Sequence, residues 1–229
     1  MKNIKEAVFN ANLLLTNEQL VILTWGNVSF YDRVNNLIFI KPSGIEYDKM
    51  SIDDIVVLDP DGNIREGYLK PSSDTPTHLL LYKHFKEINS IVHTHSTYAT
   101  AWAQAGNPIP IIGTTHADYF CENIPCTRDM TQKEINKDYE KNTGYVIVET
   151  FKDLNPIEVP AVLVKNHGPF TWGKNIKEAV SNSIVLEELA KMATISYSIN
   201  SEIKMNNHLT SKHYFRKHGK TAYYGQENE

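Results

Sequence analysis

Residues 88–106, INSIVHTHSTYATAWAQAG, carry an apolar run, two histidines spaced i, i+2, and an alanine-rich segment that ends in glycine. INSIVHTHS has the length and β-branched content of a buried strand, and it predicts one. TYATAWAQAG predicts a helix closed by Gly106, since glycine takes the left-handed backbone of a helix end at no steric cost. Upstream, Asp74-Thr75-Pro76 opens a helix through HLLLYKHF, because Asp is a good N-cap and proline is tolerated in the first turn. Helix, strand and helix in succession point to helices layered on a sheet, an α/β or α+β class.

The same periodicities extend outward. Ile4, Val8, Ala11 and Leu15 are spaced for a first amphipathic helix. VILTWGNVSFYD and NLIFIKPS predict two strands around the turn-prone Asp32-Arg33-Val34-Asn35-Asn36, and DIVVLD a third that enters Pro60-Asp61-Gly62-Asn63. Thr131-Gln132-Lys133-Glu134 has capping-box spacing for a helix ending near Gly144, after which YVIVET and VPAVLVKN predict strands. A long helix is expected from about 175 to 197, with Ile176, Val180, Ile184 and Val185 on its buried side, and a shorter one over about 206–218.

Composition narrows the class of function. The 229 residues contain 23 Lys and Arg against 27 Asp and Glu, a net charge of −4, which is not the footprint of a nucleic-acid-binding domain. No run approaches 18 apolar residues and the N-terminus has no signal-peptide pattern, so a soluble, cytoplasmic protein without membrane association is expected. With no linker, repeat or low-complexity stretch, one domain over 1–229 is the simplest organisation. Two cysteines cannot form a disulfide framework, so any metal site must use the nine histidines and the carboxylates.

His93 and His95 are the sharpest chemical signal. In a strand, residues i and i+2 face the same way about 6.5–7 Å apart, so both imidazoles can converge on one ion. A pair of buried, hydrogen-bonded histidines is the alternative meaning. Asp74 at a helix start and His167 in Asn166-His167-Gly168-Pro169 after an apolar strand add to the metal reading. Three imidazoles and a carboxylate suit zinc or a similar divalent ion. Asp74 also has a plain structural explanation as an N-cap, and its two oxygens allow one to cap while the other reaches an ion.

Lys41-Pro42-Ser43-Gly44 and Pro71-Ser72-Ser73-Asp74 are candidate anion turns, the second at a helix N-terminus where free N–H groups favour phosphate. Ser and Gly are equally ordinary turn residues. Gly113-Thr114-Thr115-His116-Ala117-Asp118-Tyr119-Phe120 offers acid–base groups or a satisfied turn. The spacing gives no evidence of a histidine or other cation that would activate a thiolate at Cys121 or Cys126, and both are read as structural.

Taken together, WGNVS, IKPSG, KPSSDTPTH, IVHTH, WAQAG, GTTHADYF, IPCTR, VIVET, HGPF-WGK and KH-RKHG-AYYGQ resemble, in order, the motifs of the L-ribulose-5-phosphate 4-epimerases of the class II aldolase family, across residues 2–226. The resemblance implies a central, mostly antiparallel β-sheet flanked by helices in three layers, and a homotetramer. It implies zinc, with manganese or cobalt as possible substitutes, on Asp74, His93, His95 and His167. A phosphorylated pentulose would be held by Asn27, Lys41, Ser43, Gly44, Ser72 and Ser73. Asp118 and Tyr224 would be the proton-transfer pair, with Tyr224 brought by the 206–229 tail to a neighbouring subunit's site. Thr114, Glu140, His213 and Arg216 match accessory positions of that interface. The implied reaction inverts carbon 4 by retro-aldol cleavage and re-addition. Two relatives of that fold offer alternatives. A fuculose-phosphate type aldolase would release the fragments, but carries Glu where Asp74 stands, and an adducin-head-like module would bind without catalysis.

Overall fold

The computed structural model describes residues 1–218 and 222–224; the remainder of the expected 206–229 tail, including the end of the AYYGQ motif, lies outside the described residues. Seven strands form one sheet: β1 (Asn27–Asp32), β2 (Leu37–Ile40), β3 (Val56–Leu58), β4 (Ile64–Glu66), β5 (Ser90–His93), β6 (Ala161–Val164) and β7 (Gly168–Gly173). Their spatial order is β4-β3-β2-β1-β5-β7-β6, and every neighbouring pair is antiparallel. The helices are α1 (Lys2–Asn17), α2 (Thr75–His84), α3 (Thr97–Ala105), α4 (Thr114–Ala117), α5 (Gln132–Asn136), α6 (Tyr139–Thr150), α7 (Ile176–Ile199) and α8 (Asn207–His218).

Both faces of the sheet are covered, and this explains why its strands are continuous apolar runs. Ile38, Ile40, Val56, Leu58 and Ile91 pack with Leu81 and Tyr82 of α2 and Ile147 of α6. The alternate residues Phe39, Val57 and Val92 pack on the other side with Val8 and Leu15 of α1 and Val180 of α7. A solvent-facing antiparallel sheet would alternate apolar and polar residues instead. A third cluster joins Ala99 and Ala103 of α3 to Leu186, Leu189 and Ala190 of α7, at the β6 end.

The structure departs from the sequence expectations in local ways. YVIVET is helical, not a strand: Thr143, Gly144, Val146 and Ile147 of α6 are buried at helical spacing. The strand preference of its β-branched residues amounts to a few tenths of a kcal/mol each, less than burial against α2 returns. Gly144 permits the close approach, since a Cβ there would stand 2.8 Å from Leu80 Cδ2. The capping box at Thr131 and Glu134 forms, but its helix stops at Asn136, and Asp138 in the left-handed region (φ 55°) starts α6 anew. The first expected strand is shortened because Leu23 (φ 56°) and Gly26 (φ 76°) turn the chain before Asn27. Strands β4 and β7 carry no expectation from periodicity; GPFTWG has turn-like Gly and Pro at its start.

Gly26 couples this turn to the sheet. A Cβ would lie 2.7 Å from the His93 carbonyl oxygen and 2.7 Å from Val21 Cγ1. Gly26→Ala should therefore cost about 2–4 kcal/mol, from left-handed strain plus overpacking. Chemical denaturation against the wild type measures it.

Candidate active site

The strand register places the first candidate residue. His93 is the last residue of β5, paired with Asn27 of β1 on one side and Phe170 of β7 on the other. Its Nδ1–H donates to the Pro169 carbonyl at 2.9 Å, and Phe170 stacks on the ring at 4.1 Å. That bond leaves Nε2 as the bare nitrogen and orients it. His95 lies beyond the end of β5, not in the strand as alternation supposed. The turn into α3 brings it to the same point, with Nε2 3.1 Å from His93 Nε2. His167 arrives from the β6–β7 turn, where Asn166 is left-handed (φ 61°), and its ring centroid lies 4.8 Å from that of His93 and 5.1 Å from that of His95. One nitrogen from each of the three rings falls within 4.8 Å of the others.

Asp74 completes the group, its Oδ2 4.0 Å from His93 Nε2. It stands at the N-cap of α2 but makes no capping hydrogen bond, contrary to the dual role anticipated. Its backbone is already helical (φ −74°, ψ −2°), not in the extended geometry from which a cap folds back on N–H groups. Its carboxylate instead accepts from Asn27 Nδ2 at 2.7 Å and from Ser72 Oγ at 3.4 Å.

A divalent cation fits these side chains. Burial holds all three imidazoles below their ordinary pKa, His167 at about 4, so they are neutral ligands at physiological pH. His93 and His95 point ring nitrogens at each other, and His167 Nδ1 and Asn27 Oδ1 are buried without a hydrogen-bond partner among the described residues. Lone pairs thus converge where too few protons are available to pair them.

The two anion turns lie side by side. Ser72 N donates to Lys41 O at 3.0 Å, Ser43 N donates to Lys70 O at 2.9 Å, and Pro42 pairs with Pro71. Lys41 is only 1 % exposed, and its Nζ reaches Ile45 O at 3.0 Å and sits 4.7 Å above the Tyr47 ring. No carboxylate pairs with it among the described residues, and burial pushes its pKa down to about 8. A buried ammonium with neutral partners is costly, and an anion beside it offsets that cost. Lys41, Ser43, Gly44, Ser72 and Ser73 share one cavity of about 350 Å³ with Asn27, Glu140 and the His–Asp group.

Sequence reasoning missed two of the cavity's aromatic walls. Trp25 stands 6.0 Å from the His95 ring and Tyr139 6.2 Å from the His167 ring. Only the WGNVS motif hinted at the first. Nothing local marks Tyr139, which is aimed by the left-handed Asp138 before it.

The remaining candidates form a separate block away from the cavity lining. Asp118 follows α4, and its N–H donates to Thr114 O at 2.9 Å. Its carboxylate accepts from Arg216 Nε at 3.0 Å and Nη2 at 2.7 Å, and from His213 Nδ1 at 3.0 Å. Burial opposes its ionisation, but the Arg216 fork and His213 more than offset this and hold its pKa below the usual value. Tyr224 lies over Arg216, ring centroid 4.6 Å from the guanidinium carbon. Within one chain, then, Asp118 and Tyr224 belong to the same block. The half-buried thiols of Cys121 and Cys126 are pushed up to about 11, chiefly by burial, which leaves them poor nucleophiles.

The chain matches the model of the Class II Aldolase and Adducin N-terminal domain over residues 6–194. It is 52 % identical over 228 residues, 99 % of this chain and 100 % of the relative, to L-ribulose-5-phosphate 4-epimerase UlaF of Salmonella paratyphi C (strain RKS4594). The protein of that name from Salmonella typhi is 51 % identical over the same extent. Among solved structures, an L-fuculose 1-phosphate aldolase superposes with a TM-score of 0.79 at 26 % identity, covering 93 % of this chain and 95 % of that one. The L-fuculose 1-phosphate aldolase from Glaciozyma antarctica PI12 has a TM-score of 0.78 at 19 % identity, covering 96 % of this chain and 84 % of that one, and shares the fold.

If the His–Asp group is a metal centre, protein purified without chelator should carry about one divalent ion per chain. His93→Ala and His167→Ala should each abolish that content, as read by elemental analysis.

Proposed function

Given that the chain belongs to the class II aldolase and adducin N-terminal family, we propose that it is a divalent-metal-dependent epimerase that interconverts L-ribulose 5-phosphate and D-xylulose 5-phosphate. The full-length 52 % identity to relatives of that name carries the reading. The joining of a His–Asp group to a buried, carboxylate-free Lys41 in one cavity supports it.

The two sugars differ at carbon 4, whose hydrogen is not acidic, so inversion proceeds by breaking and remaking the carbon 3–carbon 4 bond. A base takes the carbon 4 hydroxyl proton, the bond breaks, and the enediolate of dihydroxyacetone and glycolaldehyde phosphate result. The aldehyde turns over, the bond re-forms on its other face, and a proton returns to the new alkoxide. A zinc ion, or manganese or cobalt, on Asp74, His93, His95 and His167 supplies Lewis-acid stabilisation of the charge that develops on the substrate's oxygens. Lys41, Ser43, Gly44, Ser72 and Ser73 hold the phosphate, which keeps the aldehyde in place while it rotates. Asn27 supports both ends, donating to the Asp74 carboxylate and to Ser72 Oγ. Asp74, rather than a longer carboxylate, favours this outcome over an aldolase that releases its fragments.

Asp118 and Tyr224 are the proton-transfer pair in this reading, with Thr114, His213 and Arg216 holding them and Glu140 on the cavity wall. Because this block stands apart from the cavity of its own chain, it serves the cavity of a neighbouring subunit in a homotetramer. The half-exposed or exposed Ile22, Leu23 and Trp25 beside the cavity (56 %, 70 % and 47 %) suit an apolar subunit contact there.

Incubation with L-ribulose 5-phosphate should yield D-xylulose 5-phosphate without free aldehyde; accumulating aldehyde means an aldolase, and no turnover ends the enzymatic reading. Asp118→Asn and Tyr224→Phe should each lower turnover by on the order of 100-fold. Mixed oligomers of Tyr224→Phe and His93→Ala chains should regain roughly a quarter of the wild-type sites, whereas a site built within one chain would regain none. Lys41 is charged below its pKa of about 8 and neutral above it. KM should therefore rise about tenfold per pH unit above that value. Lys41→Met should bind weakly throughout and lose this limb, as steady-state kinetics across pH 6–10 would show.

A further inference from the structure

Lys217 pairs with the Asp118 carboxylate at ion-pair distance but makes no hydrogen bond to it. Arg216 already donates to both Asp118 oxygens and His213 to one of them, while Lys217 Nζ stays 3.9 Å from Oδ2, beyond hydrogen-bond distance. Its ammonium lies instead between two aromatic faces, 4.5 Å from the ring centroid of Tyr119 and 4.7 Å from that of Tyr224. Such placement of a cation over a ring is attractive and directional.

The rest of the block explains why a clamp belongs here. The segment bearing Tyr224 folds back on the end of α8, where Tyr223 N and Tyr224 N both donate to Arg216 O at 3.0 and 3.1 Å. Those bonds fix the backbone of Tyr224; its ring, 57 % exposed, is met by the Arg216 guanidinium at 4.6 Å and by the Lys217 ammonium, and of these two only Lys217 also reaches Tyr119. Tyr119 follows Asp118 directly, and its position is set by the N–H bond to His116 O at 3.0 Å. A lysine side chain with 19 % exposure, reaching from the last turn of α8 to both rings, ties the exposed ring to the anchored one.

We propose that Lys217 is a positioning residue of the reaction: its ammonium, held between Tyr119 and Tyr224, sets the place of the Tyr224 phenol. This rests on the assignment of Tyr224 to proton transfer. It goes beyond it by naming two residues, Lys217 and Tyr119, that act through Tyr224 and touch no substrate. A plain helix-end role for the lysine, favourable to the dipole of α8, would not depend on Tyr119 at all.

The test is steady-state kinetics of the metal-loaded enzyme with L-ribulose 5-phosphate, with thermal unfolding as a check on folding. Lys217→Met, which keeps the apolar stem, should lower kcat on the order of 10-fold or more, as small misplacements of a reacting group do. KM should stay within about twofold, because the phosphate turns are untouched. Lys217→Arg should recover most of kcat, since a guanidinium also packs on ring faces. Tyr119→Leu should lower kcat similarly, and the double variant Tyr119→Leu/Lys217→Met should be no worse than either alone. A wild-type kcat for Lys217→Met beside an impaired Tyr224→Phe overturns the clamp and leaves Tyr224 in its role. So does a loss that appears in KM, or that arginine does not rescue. An unimpaired Tyr224→Phe overturns the Tyr224 assignment itself.

Discussion

The row Asn27–His93–Phe170, where β1, β5 and β7 lie abreast, is the constraint on which the site depends. His93 is held there by ladder pairing on both sides, by Phe170 stacked on its ring, and by the Nδ1–H bond to Pro169 O. Each neighbour of the row extends the site. Asn27 grips Asp74, the chain leaving β5 carries His95, and the turn entering β7 carries His167. A one-residue slip of β5 would turn His93 to the opposite face of the sheet and dismantle the group. The apolar strands, buried on both faces, are what make such a slip costly.

One unpaired charge and one crowd of neutral lone pairs are kept in this frame at a cost to stability. Among the described residues Lys41 is buried with carbonyls and a tyrosine face but no carboxylate partner, and the three imidazoles crowd their lone pairs together. Both arrangements are unfavourable in the free protein and are relieved by a ligand of the opposite character, an anion for the first and a cation for the second. Both lie in one cavity, which is why the proposed function has one phosphorylated sugar span them. The glycines follow the same logic: Gly26 is needed where the chain passes against the His93 carbonyl.

The Asp118 block obeys a different economy. Every strong partner of its carboxylate comes from α8, far along the chain, so the block is assembled only when the last helix docks on α4. The Asp118 carboxylate finds cationic partners within the block, whereas Lys41 in the cavity meets only carbonyls and a ring among the described residues. This separation, within one chain, of the cavity from the block is the ground for proposing a site shared between subunits.

Local signals carried much of this. His93, His95, His167 and Asp74 sit at element ends that Gly, Pro and apolar runs announce, and the helices α1, α2, α3 and α7 follow their periodicity. Where the chain alone misled, a distant partner had overruled a local preference. YVIVET became helix because α2 offers it a face, and Asp74 left its cap for the amide of Asn27, 47 residues away. Tyr139 could not be read at all and Trp25 only through the WGNVS motif, since left-handed residues flank them and nothing in their own neighbourhood names a cavity. The amino-acid sequence by itself determined which groups were available and which elements would bear them, because spacing and propensity act within a few residues. Only the tertiary structure decided which of them meet, because the meeting is set by strand register and helix docking between segments far apart in the chain.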